Sequence, residues 1–329
     1  MSLLGMRYFL VAAEEMNFTS AAKRLYITQQ TLSAHILRLE QEYGVVLFNR
    51  KPRLSLTREG ERMVKYATRI VRLERVMSAE FADLSQSARG ALSLGVSRMR
   101  AKHFFHELWA AYRKQFPNIE IYLSEGPSAT LERLVERHSV DMCIGVNLEP
   151  STAICRIPLL SETVYLAVPR DLFHAHYPEQ TTRYLIAFSQ GLSFSQIPDL
   201  PLLLLSPINR IRRLVDQGFD ALDRIAHPVF ESNDLELLLS MCEKGAGQAF
   251  VPASSLFYAQ DMALKMDRIY AFPLQNTTIE TMLGYPSDLE LPHYAQLFIA
   301  SCQSVFAQAN ETIRQQSNAY FSSLQKQID

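Results

Sequence analysis

Amide and hydroxyl side chains crowd the stretch between residues 28 and 34, and their chemistry suits the edges of nucleic-acid bases. A glutamine amide offers a donor and an acceptor that match adenine, a hydroxyl bonds to several bases, and an alanine methyl group packs on thymine. We predict that Gln29, Gln30 and Ser33 read bases directly. The full set predicted to face bases comprises Thr28, Gln29, Gln30, Thr31, Ser33 and Ala34.

Basic and hydroxyl side chains surround this set, and such groups commonly hold phosphate oxygens, which position a protein on DNA without specifying sequence. Residues 16–58 contain seven Lys or Arg and only two Asp or Glu. On the hairpin tip, arginine side chains are also suited to the minor groove. The predicted phosphate contacts are Thr19, Ser20, Lys23, His35, Arg38, Arg50, Lys51 and Arg53. An i,i+4 pair with Glu42 is an alternative for Arg38.

The charge of the chain is divided between its two ends. Residues 1–90 hold 14 basic and 9 acidic side chains, whereas residues 91–329 hold 19 and 25, and the whole chain has a net charge of −1. A basic first domain on a nearly neutral chain indicates a polyanion partner for that domain alone.

Three short helices followed by a β-hairpin are predicted to position these groups. Thr19 is predicted to cap a second helix that begins at Ser20, and Thr28 a third helix that ends at Gly44, since threonine hydroxyls accept orphan N–H bonds. For both threonines, capping alone is the alternative to DNA contact. Two short apolar runs in residues 45–57 flank a basic tip that contains proline, which is typical of a β-hairpin wing.

A long helix is predicted after the hairpin, because residues 59–87 contain no proline and no glycine beyond Gly60. One face of it carries the apolar residues Met63, Ala67, Ile70, Met77, Phe81 and Leu84. Such a stripe predicts dimerisation, with packing against its own domain as the alternative. Ser85–Gly90 is predicted to be a hinge, because it is rich in small and polar residues.

From residue 91 the pattern changes to alternating strands and helices, which predicts a parallel sheet. Strands are expected at 91–96, 119–123 and 140–146, and a second group of strands lies between 202 and 251. The segments 164–168 and 269–272 are expected to cross between the two groups. The result is two α/β lobes joined as a hinged clamshell.

The amino-acid sequence resembles the LysR family of transcriptional regulators over residues 3–305. The N-terminal similarity lies in MRYFLVAAEEMNFTSAAKRLYITQQTLSAHILRLEQEYGVVLFNR and LSLTREG, and it continues in LSLGVS, FPNIEIYLSEGPS, VDMCIGV and SNDLELLLSMCEKGAGQAFVP. This chain has Gln30 where the family commonly has proline, Ala34 where it often has a basic residue, and Lys-Pro-Arg at the wing tip. These departures concern the DNA sequence that is recognised and not the mode of binding.

The resemblance implies an α+β multidomain fold: a winged helix-turn-helix, a long linker helix, and a two-lobed effector domain like periplasmic binding proteins. The implied boundaries are 1–58 for the winged domain, 59–90 for linker and hinge, 91–309 for the effector domain, and 310–329 for a tail that is an extra helix or frayed. Lobe 1 would comprise 91–163 and 270–309, and lobe 2 would comprise 164–269.

The resemblance also implies partners: double-stranded DNA with a pseudo-palindromic operator, a small-molecule effector, further copies of the chain in a dimer or tetramer, and RNA polymerase. The effector residues expected at the carboxyl ends of the strands are Ser97, Arg98, Ser128, Asn147, Ser206 and Asn209. Helix starts there suit an anion, and Arg98 with Arg100 indicates an acidic effector. Simple N-caps are the alternative for Ser97 and Ser128.

Other classes of protein are less favoured. The chain lacks G-x-S-x-G, P-loop, H-E-x-x-H and G-x-G-x-x-G motifs, so the sequence predicts no enzyme, metal or cofactor. Four cysteines outside any C-x-x-C motif read as reduced thiols, with a redox pair as the alternative. No apolar run is long enough for a membrane span, and a cytoplasmic protein is expected. A solute-binding protein and a ligand-independent DNA-binding protein, whose cleft would be filled, remain alternatives.

Overall fold

The structure is a computed structural model that describes residues 2–51, 53–84, 90–258, 266–288 and 290–328. Its N-terminal domain contains three helices and a two-stranded antiparallel hairpin, as predicted. These elements are α1 (Leu3–Glu15), α2 (Phe18–Arg24), α3 (Gln29–Tyr43), β1 (Phe48–Asn49) and β2 (Ser55–Leu56). Pro52 at the wing tip lies outside the described residues.

The caps of α2 and α3 explain where these helices begin. Asn17, and not Thr19 as predicted, caps α2, because its extended backbone aims the side-chain oxygen at the N–H groups of Thr19 and Ser20. Thr28 caps α3 as predicted by accepting a bond from the N–H of Thr31. Gly44 ends α3 in the left-handed conformation with φ of 65°.

Helix α4 (Arg58–Leu84) divides its apolar stripe between two uses. Met63, Ala67 and Ile70 pack onto the core of the winged domain, which confirms the packing alternative for this half. Met77 and Phe81 are 48% and 64% exposed, so the second half keeps its apolar face uncovered within the chain. The side chain of Leu84 and residues 85–89 of the predicted hinge lie outside the described residues, and Gly90, the last residue of that hinge, begins the first strand of the C-terminal domain.

One eight-stranded sheet runs through both lobes of the C-terminal domain. The strands are β3 (Gly90–Val96), β4 (Ile119–Glu125), β5 (Met142–Val146), β6 (Ile154–Pro169), β7 (Leu202–Leu205), β8 (Pro228–Ser232), β9 (Gln248–Pro252) and β10 (Ile269–Pro286). Their order is β4-β3-β5-β10-β6-β9-β7-β8. β3 pairs in parallel with β4 and β5, and β7 pairs in parallel with β8 and β9, so each lobe has the predicted parallel sheet.

The two crossing strands are longer than predicted. β6 and β10 are antiparallel partners over most of their length, and β10 pairs with β5 at one end while β6 pairs with β9 at the other. The predicted segment 269–272 is the start of one long strand, β10, which has an irregular register between Pro273 and Thr278. This continuous pair joins lobe 1, built on β3 to β5, to lobe 2, built on β7 to β9.

Helices pack against the sheet. They are α5 (Arg98–Gln115), α6 (Ser128–Glu136), α7 (Arg170–His176), α8 (Thr181–Ser189), α9 (Arg210–Asp220), α10 (Leu235–Glu243), α11 (Ala253–Phe257) and α12 (His293–Ile328). Helices α7, α8 and α11 were not anticipated from the sequence. Among the described helices, none combines the length and apolar composition that crossing a membrane requires.

The C-terminal tail continues α12 as one helix that contacts both lobes. Near its start, the carbonyl of Tyr294 accepts a bond from the Tyr112 hydroxyl in lobe 1. Further along, the Tyr320 hydroxyl accepts a bond from the N–H of Ala271, in the half of β10 that pairs with β6 beside lobe 2. Tyr320 and Leu324 are buried, so the tail is a packed continuation of α12 and neither a separate helix nor a frayed end.

Candidate nucleic-acid interface and ligand cleft

The start of α3 presents its polar side chains to solvent. Gln29, Gln30 and Ala34 are exposed and Ser33 is half-buried, while Leu32 and Ile36 face the core. The Thr19 hydroxyl donates to the side-chain oxygen of Gln29 at 3.1 Å, which fixes the amide at the outer surface. A preoriented amide is suited to two-point contact with a base edge.

The wing and the start of α3 enclose a concavity of about 710 Å³. Five of the predicted residues line it together: Thr19, Gln29, Ser33, Arg50 and Arg53. Asn17, which caps α2, also lines the concavity and was missed as a site residue by the sequence reasoning. The other predicted residues lie outside this concavity: Ser20, Lys23, Thr28, Gln30, Thr31, Ala34, His35, Arg38 and Lys51.

Glu40 is a further residue that sequence reasoning missed. It is buried on the core face of α3, where one carboxylate oxygen accepts a bond from the N–H of Leu47 at 2.8 Å. The other oxygen pairs with the Arg50 guanidinium at 3.3 Å. The wing arginine is thereby tied to α3. A lone acidic residue among the apolar positions of an amphipathic helix was the available signal.

Two ring side chains at or near the start of α3 differ in exposure. The His35 ring is half-buried and packs edge-on against Tyr8 of α1 at 4.9 Å between ring centroids, so it has a packing role. Tyr26, in the turn between α2 and α3, is 96% exposed with φ of 55°.

Between the lobes lies a cleft with a cavity of about 270 Å³, so the filled cleft expected for a ligand-independent protein is not observed. Four of the predicted effector residues line it: Ser97, Arg98, Ser128 and Asn209. Asn147 and Ser206 do not belong to its lining. The polar lining residues that the sequence reasoning missed are Lys102, Arg210, Asn233, Asp234 and Glu236. Asn233 and Asp234 directly follow β8, so the same strand-end argument would have found them.

Several of the predicted effector groups serve the fold. The Ser128 hydroxyl accepts a bond from the N–H of Val146 at 2.9 Å; it does not cap α6, because Pro127 precedes the helix and Ser128 is already its first residue. The Asn147 side chain accepts a bond from the N–H of Glu280. Asn209 caps α9, and the Ser206 hydroxyl donates to Asn233.

Two of the predicted effector residues, both in lobe 1, have no internal partner among the described residues. The hydroxyl of Ser97 is buried and has no hydrogen-bond partner among the described residues, and it does not cap α5. Arg98 is exposed and forms no hydrogen bond or ion pair within the described part of the chain. The starts of α5 and α6 lack side-chain caps, whereas Asn209 and Asp234 cap α9 and α10 in lobe 2. Uncapped helix starts and a cation favour an anion on the lobe-1 side.

Ion pairs join the lobes on either side of the cleft. Lys102 of α5 pairs with Glu236 of α10 at 3.0 Å, and Arg210 of α9 pairs with Glu132 of α6 at 2.9 Å. Any movement of one lobe against the other must rearrange these contacts.

Arg100 corrects one expectation, because it does not face the cleft. It is buried and pairs with the equally buried Glu162 of β6, and it also donates to the Ser254 hydroxyl at 2.9 Å. The other oxygen of Glu162 accepts a bond from the N–H of Ser254 at 2.7 Å. This network joins α5, β6 and α11 behind the cleft, so only Arg98 of the two arginines is available to an effector.

The cysteines are free thiols. Burial raises the pKa of Cys143 to about 12, and it also raises the pKa values of Cys242 and Cys302. Because the thiolate is the reactive form, these three side chains are poorly suited to redox chemistry. Cys155 is half-buried on β6.

Comparison with known families accounts for both domains. Residues 3–61 match the family described as bacterial regulatory helix-turn-helix protein, lysR family, and residues 85–307 match the LysR substrate binding domain. The regulator BsdA of Bacillus subtilis is 29% identical over 260 residues, which cover 78% of this chain and 85% of that protein. The regulator AlsR of the same species is 26% identical over 319 residues, covering 92% of this chain and 96% of that protein.

Solved structures share the whole architecture. A full-length OxyR variant from Pseudomonas aeruginosa has a TM-score of 0.67 and 22% identity, with 92% of this chain and 98% of that chain covered. The regulator CbnR in complex with its target DNA has a TM-score of 0.60 and 19% identity, with 93% and 100% covered. At these identities the similarity establishes the fold.

Proposed function

The chain belongs to the LysR family of bacterial transcriptional regulators, and we propose which of its side chains read DNA and which hold its effector. It is a DNA-binding transcriptional regulator with an effector-binding domain. Two surfaces support the residue assignments: the concavity beside α3 and the cleft between the lobes.

The N-terminal half of α3 enters the major groove, with Gln29, Gln30 and Ser33 at base edges. Arg50 and Arg53 on the wing contact the backbone or the adjacent minor groove. The observation that carries this assignment is the shared concavity, in which Thr19 holds Gln29 and Glu40 holds Arg50. Two such domains in a dimer would read half-sites about one helical turn apart.

Selection of genomic fragments by the purified full-length protein tests this assignment. The wild type is expected to enrich a few sites with two-fold symmetry. The double variant Gln29→Ala/Ser33→Ala should lose about tenfold or more in affinity for those sites and keep its affinity for random DNA. Gln41→Ala, at the far end of α3, is the matched control and should select as the wild type does. Equal enrichment by the double variant would contradict the assignment.

The effector is an anion whose charged group lies on lobe 1. The Ser97 hydroxyl, Arg98 and the uncapped starts of α5 and α6 supply unused donors there. The apolar lining from Val146, Leu205 and Ile208 suits a compact organic body. A carboxylate with a small hydrophobic framework fits both parts.

Thermal unfolding with a panel of small carboxylates, matched amides and amines tests the charge of the effector. A carboxylate should raise the midpoint of the wild type, because a ligand that binds only the folded state stabilises it. The shift should fall sharply in Arg98→Gln and in Ser97→Ala. Arg113→Gln, at the other end of α5, serves as the control. If amides or amines stabilise the protein and carboxylates do not, the anionic assignment is wrong.

The proposed regulatory step is a shift between two populated arrangements of the lobes, each bound differently by the effector. The ion pairs Lys102–Glu236 and Arg210–Glu132 would be remade in that step. The exposed apolar face at Leu73, Met77 and Phe81 of α4 would pair with a second copy of the chain. RNA polymerase is a further proposed partner, and the proposed site of action is the cytoplasm, with the DNA.

A further inference from the structure

A basic face of α4 is docked against lobe 1. Arg72 is only 4% exposed in its side chain and pairs with Asp141 of lobe 1 at 3.2 Å. Asp141 is itself 8% exposed in its side chain and accepts a bond from the N–H of Ser93 at 2.7 Å, so its position is fixed by β3. Burial of a charge is costly unless a charged partner compensates it, so this pair marks a specific contact between linker helix and effector domain.

His138 and Asp288 complete the acceptor side of this contact. Arg69 donates from Nε to Nε2 of His138 at 3.0 Å and pairs with the Asp288 carboxylate. His138 lies just after α6 with φ of 57°, an uncommon conformation for a residue other than glycine. We call His138, Asp141 and Asp288 the lobe-1 corner.

Helix α6 connects this corner to the ligand cleft. The first residue of α6, Ser128, lines the cleft. One turn further along α6, the Glu132 carboxylate pairs with Arg210 of lobe 2. The helix has nine residues and so spans about 13 Å as a rigid rod. A displacement of lobe 2 that pulls on Glu132 therefore moves His138 at the other end.

We propose that the lobe-1 corner and the arginines of α4 form a latch that orients the DNA-binding domain against the effector domain, and that α6 passes lobe movements to it. This inference rests on the proposed function, because it assigns the route from the cleft to the DNA. Arg69 and Arg72 are positioning residues: they touch neither DNA nor effector.

The latch leaves the dimerisation face of α4 free. Leu73, Met77 and Phe81 lie on one stripe, and at 100° per residue Arg69 and Arg72 point about 80° and about 140° away from its middle. The N-terminal half of the same helix packs Met63, Ala67 and Ile70 on the winged domain. One helix therefore contacts the winged domain and lobe 1 and would also contact a second copy of the chain, which is the arrangement that a transmission element needs.

Acidification weakens this latch. In the docked state Nε2 of His138 accepts the Arg69 bond, so protonation there removes the bond and adds a cation beside Arg72 and Lys65. Burial lowers the pKa of His138 below its ordinary 6.5, Asp288 opposes this, and Arg72, Arg69 and Lys65 reinforce it. The undocked state then binds the proton more readily, so docking is unaffected above about pH 6.5 and weakens as the pH falls below it.

Amide hydrogen exchange in the full-length protein tests the latch. The variants are Arg72→Gln and Asp141→Asn, which keeps an acceptor for Ser93. Each should raise exchange about tenfold in peptides covering residues 69–73 and 138–142, because the buried pair is lost. The double variant should exchange no faster than the faster single variant, since both changes remove one interaction.

Arg62→Gln is the matched control for these variants, because Arg62 lies about two turns before Arg69 on α4 and is exposed. Its exchange should equal that of the wild type. Wild-type exchange in Arg72→Gln would overturn the latch. This readout needs no DNA, so it is independent of the selection of genomic fragments. A failed selection would contradict the proposed function and leave the latch intact. Unchanged exchange in Arg72→Gln, together with a successful selection, would contradict the latch alone.

Two further arms test transmission and pH. Arg210→Gln, which does not touch α4, should raise exchange at 69–73 about threefold, whereas Arg213→Gln on the exposed side of α9 should not. No change in Arg210→Gln would overturn transmission through α6.

The pH arm compares the wild type with His138→Asn. Exchange corrected for its intrinsic rate should increase in the wild type as the pH is lowered from about 7.5 to about 5.5, and it should not increase in His138→Asn. The same rise in His138→Asn would overturn the pH dependence.

Discussion

The winged domain and the ligand cleft use their polar side chains in opposite ways. At the start of α3, Gln30 is exposed with no internal bond among the described residues, and Gln29 uses only its side-chain oxygen internally, so its exposed amide N–H groups are left for DNA. In the cleft, Ser128 and Asn209 already accept backbone N–H groups, and only Ser97 and Arg98 of the predicted residues are left without partners in the described part of the chain. A polar residue at a helix start is therefore a poor indicator of function until its existing hydrogen bonds are known.

The largest effect that tests this comparison is expected at α5, where two nearby arginines have opposite roles. Arg100→Leu leaves the Glu162 carboxylate buried without its cation and should lower the free energy of unfolding by about 3–5 kcal/mol. Arg98→Gln, on the exposed face, should change it by less than about 0.5 kcal/mol. Urea unfolding of the full-length protein followed by circular dichroism measures both. Similar losses in the two variants would contradict the division of roles.

A smaller effect is expected from two serines that the sequence could not tell apart. Ser128→Ala removes the acceptor of the Val146 N–H and should cost about 1–3 kcal/mol, because a buried donor is left unsatisfied. Ser97→Ala removes a hydroxyl that is buried without a partner among the described residues, so the protein should be unchanged or slightly more stable. The same unfolding experiment compares them. A loss of stability in Ser97→Ala that equals the loss in Ser128→Ala would show that Ser97 is structural.

The winged domain could be predicted almost completely from sequence, because its signals are local. Thr28 and Gly44 set the two ends of α3 through bonds to residues within one helical turn. The hairpin is predicted by two apolar runs on either side of a basic tip. The error at α2 came from two adjacent candidates: Asn17 and Thr19 can both cap, and only the backbone conformation decides. Glu40 was missed because its partners, Leu47 and Arg50, come from the wing.

The lobes were harder to predict, because long-range pairing decides their limits. The first half of β6 contains polar residues such as Arg156 and Ser161, so its sequence does not show the apolar run typical of a buried strand. Its pairing with β10 makes this segment a strand. The tail of α12 reads as polar because its buried residues Ile313, Tyr320 and Leu324 are widely spaced. The cleft residues Lys102 and Arg210 could not be found, since their ion pairs join lobes that are distant in sequence.

The smallest effect on stability is expected within α3, and there the comparison can be made between two neighbouring positions. Thr28→Ala removes the cap of α3 and should cost about 1 kcal/mol of stability. Gln30→Ala removes an exposed side chain with no internal bond among the described residues and should change stability by less than about 0.5 kcal/mol. The effect on DNA binding should be larger for Gln30→Ala than for Thr28→Ala. Gln30→Ala should weaken binding to the selected genomic site by about 1–3 kcal/mol and leave binding to random DNA unaffected. Fluorescence anisotropy with both duplexes at one fixed salt concentration measures this, because phosphate contacts change with salt for every sequence. If Gln30→Ala weakens both duplexes equally, Gln30 contributes to general affinity, and base reading would then fall to Gln29 and Ser33 alone.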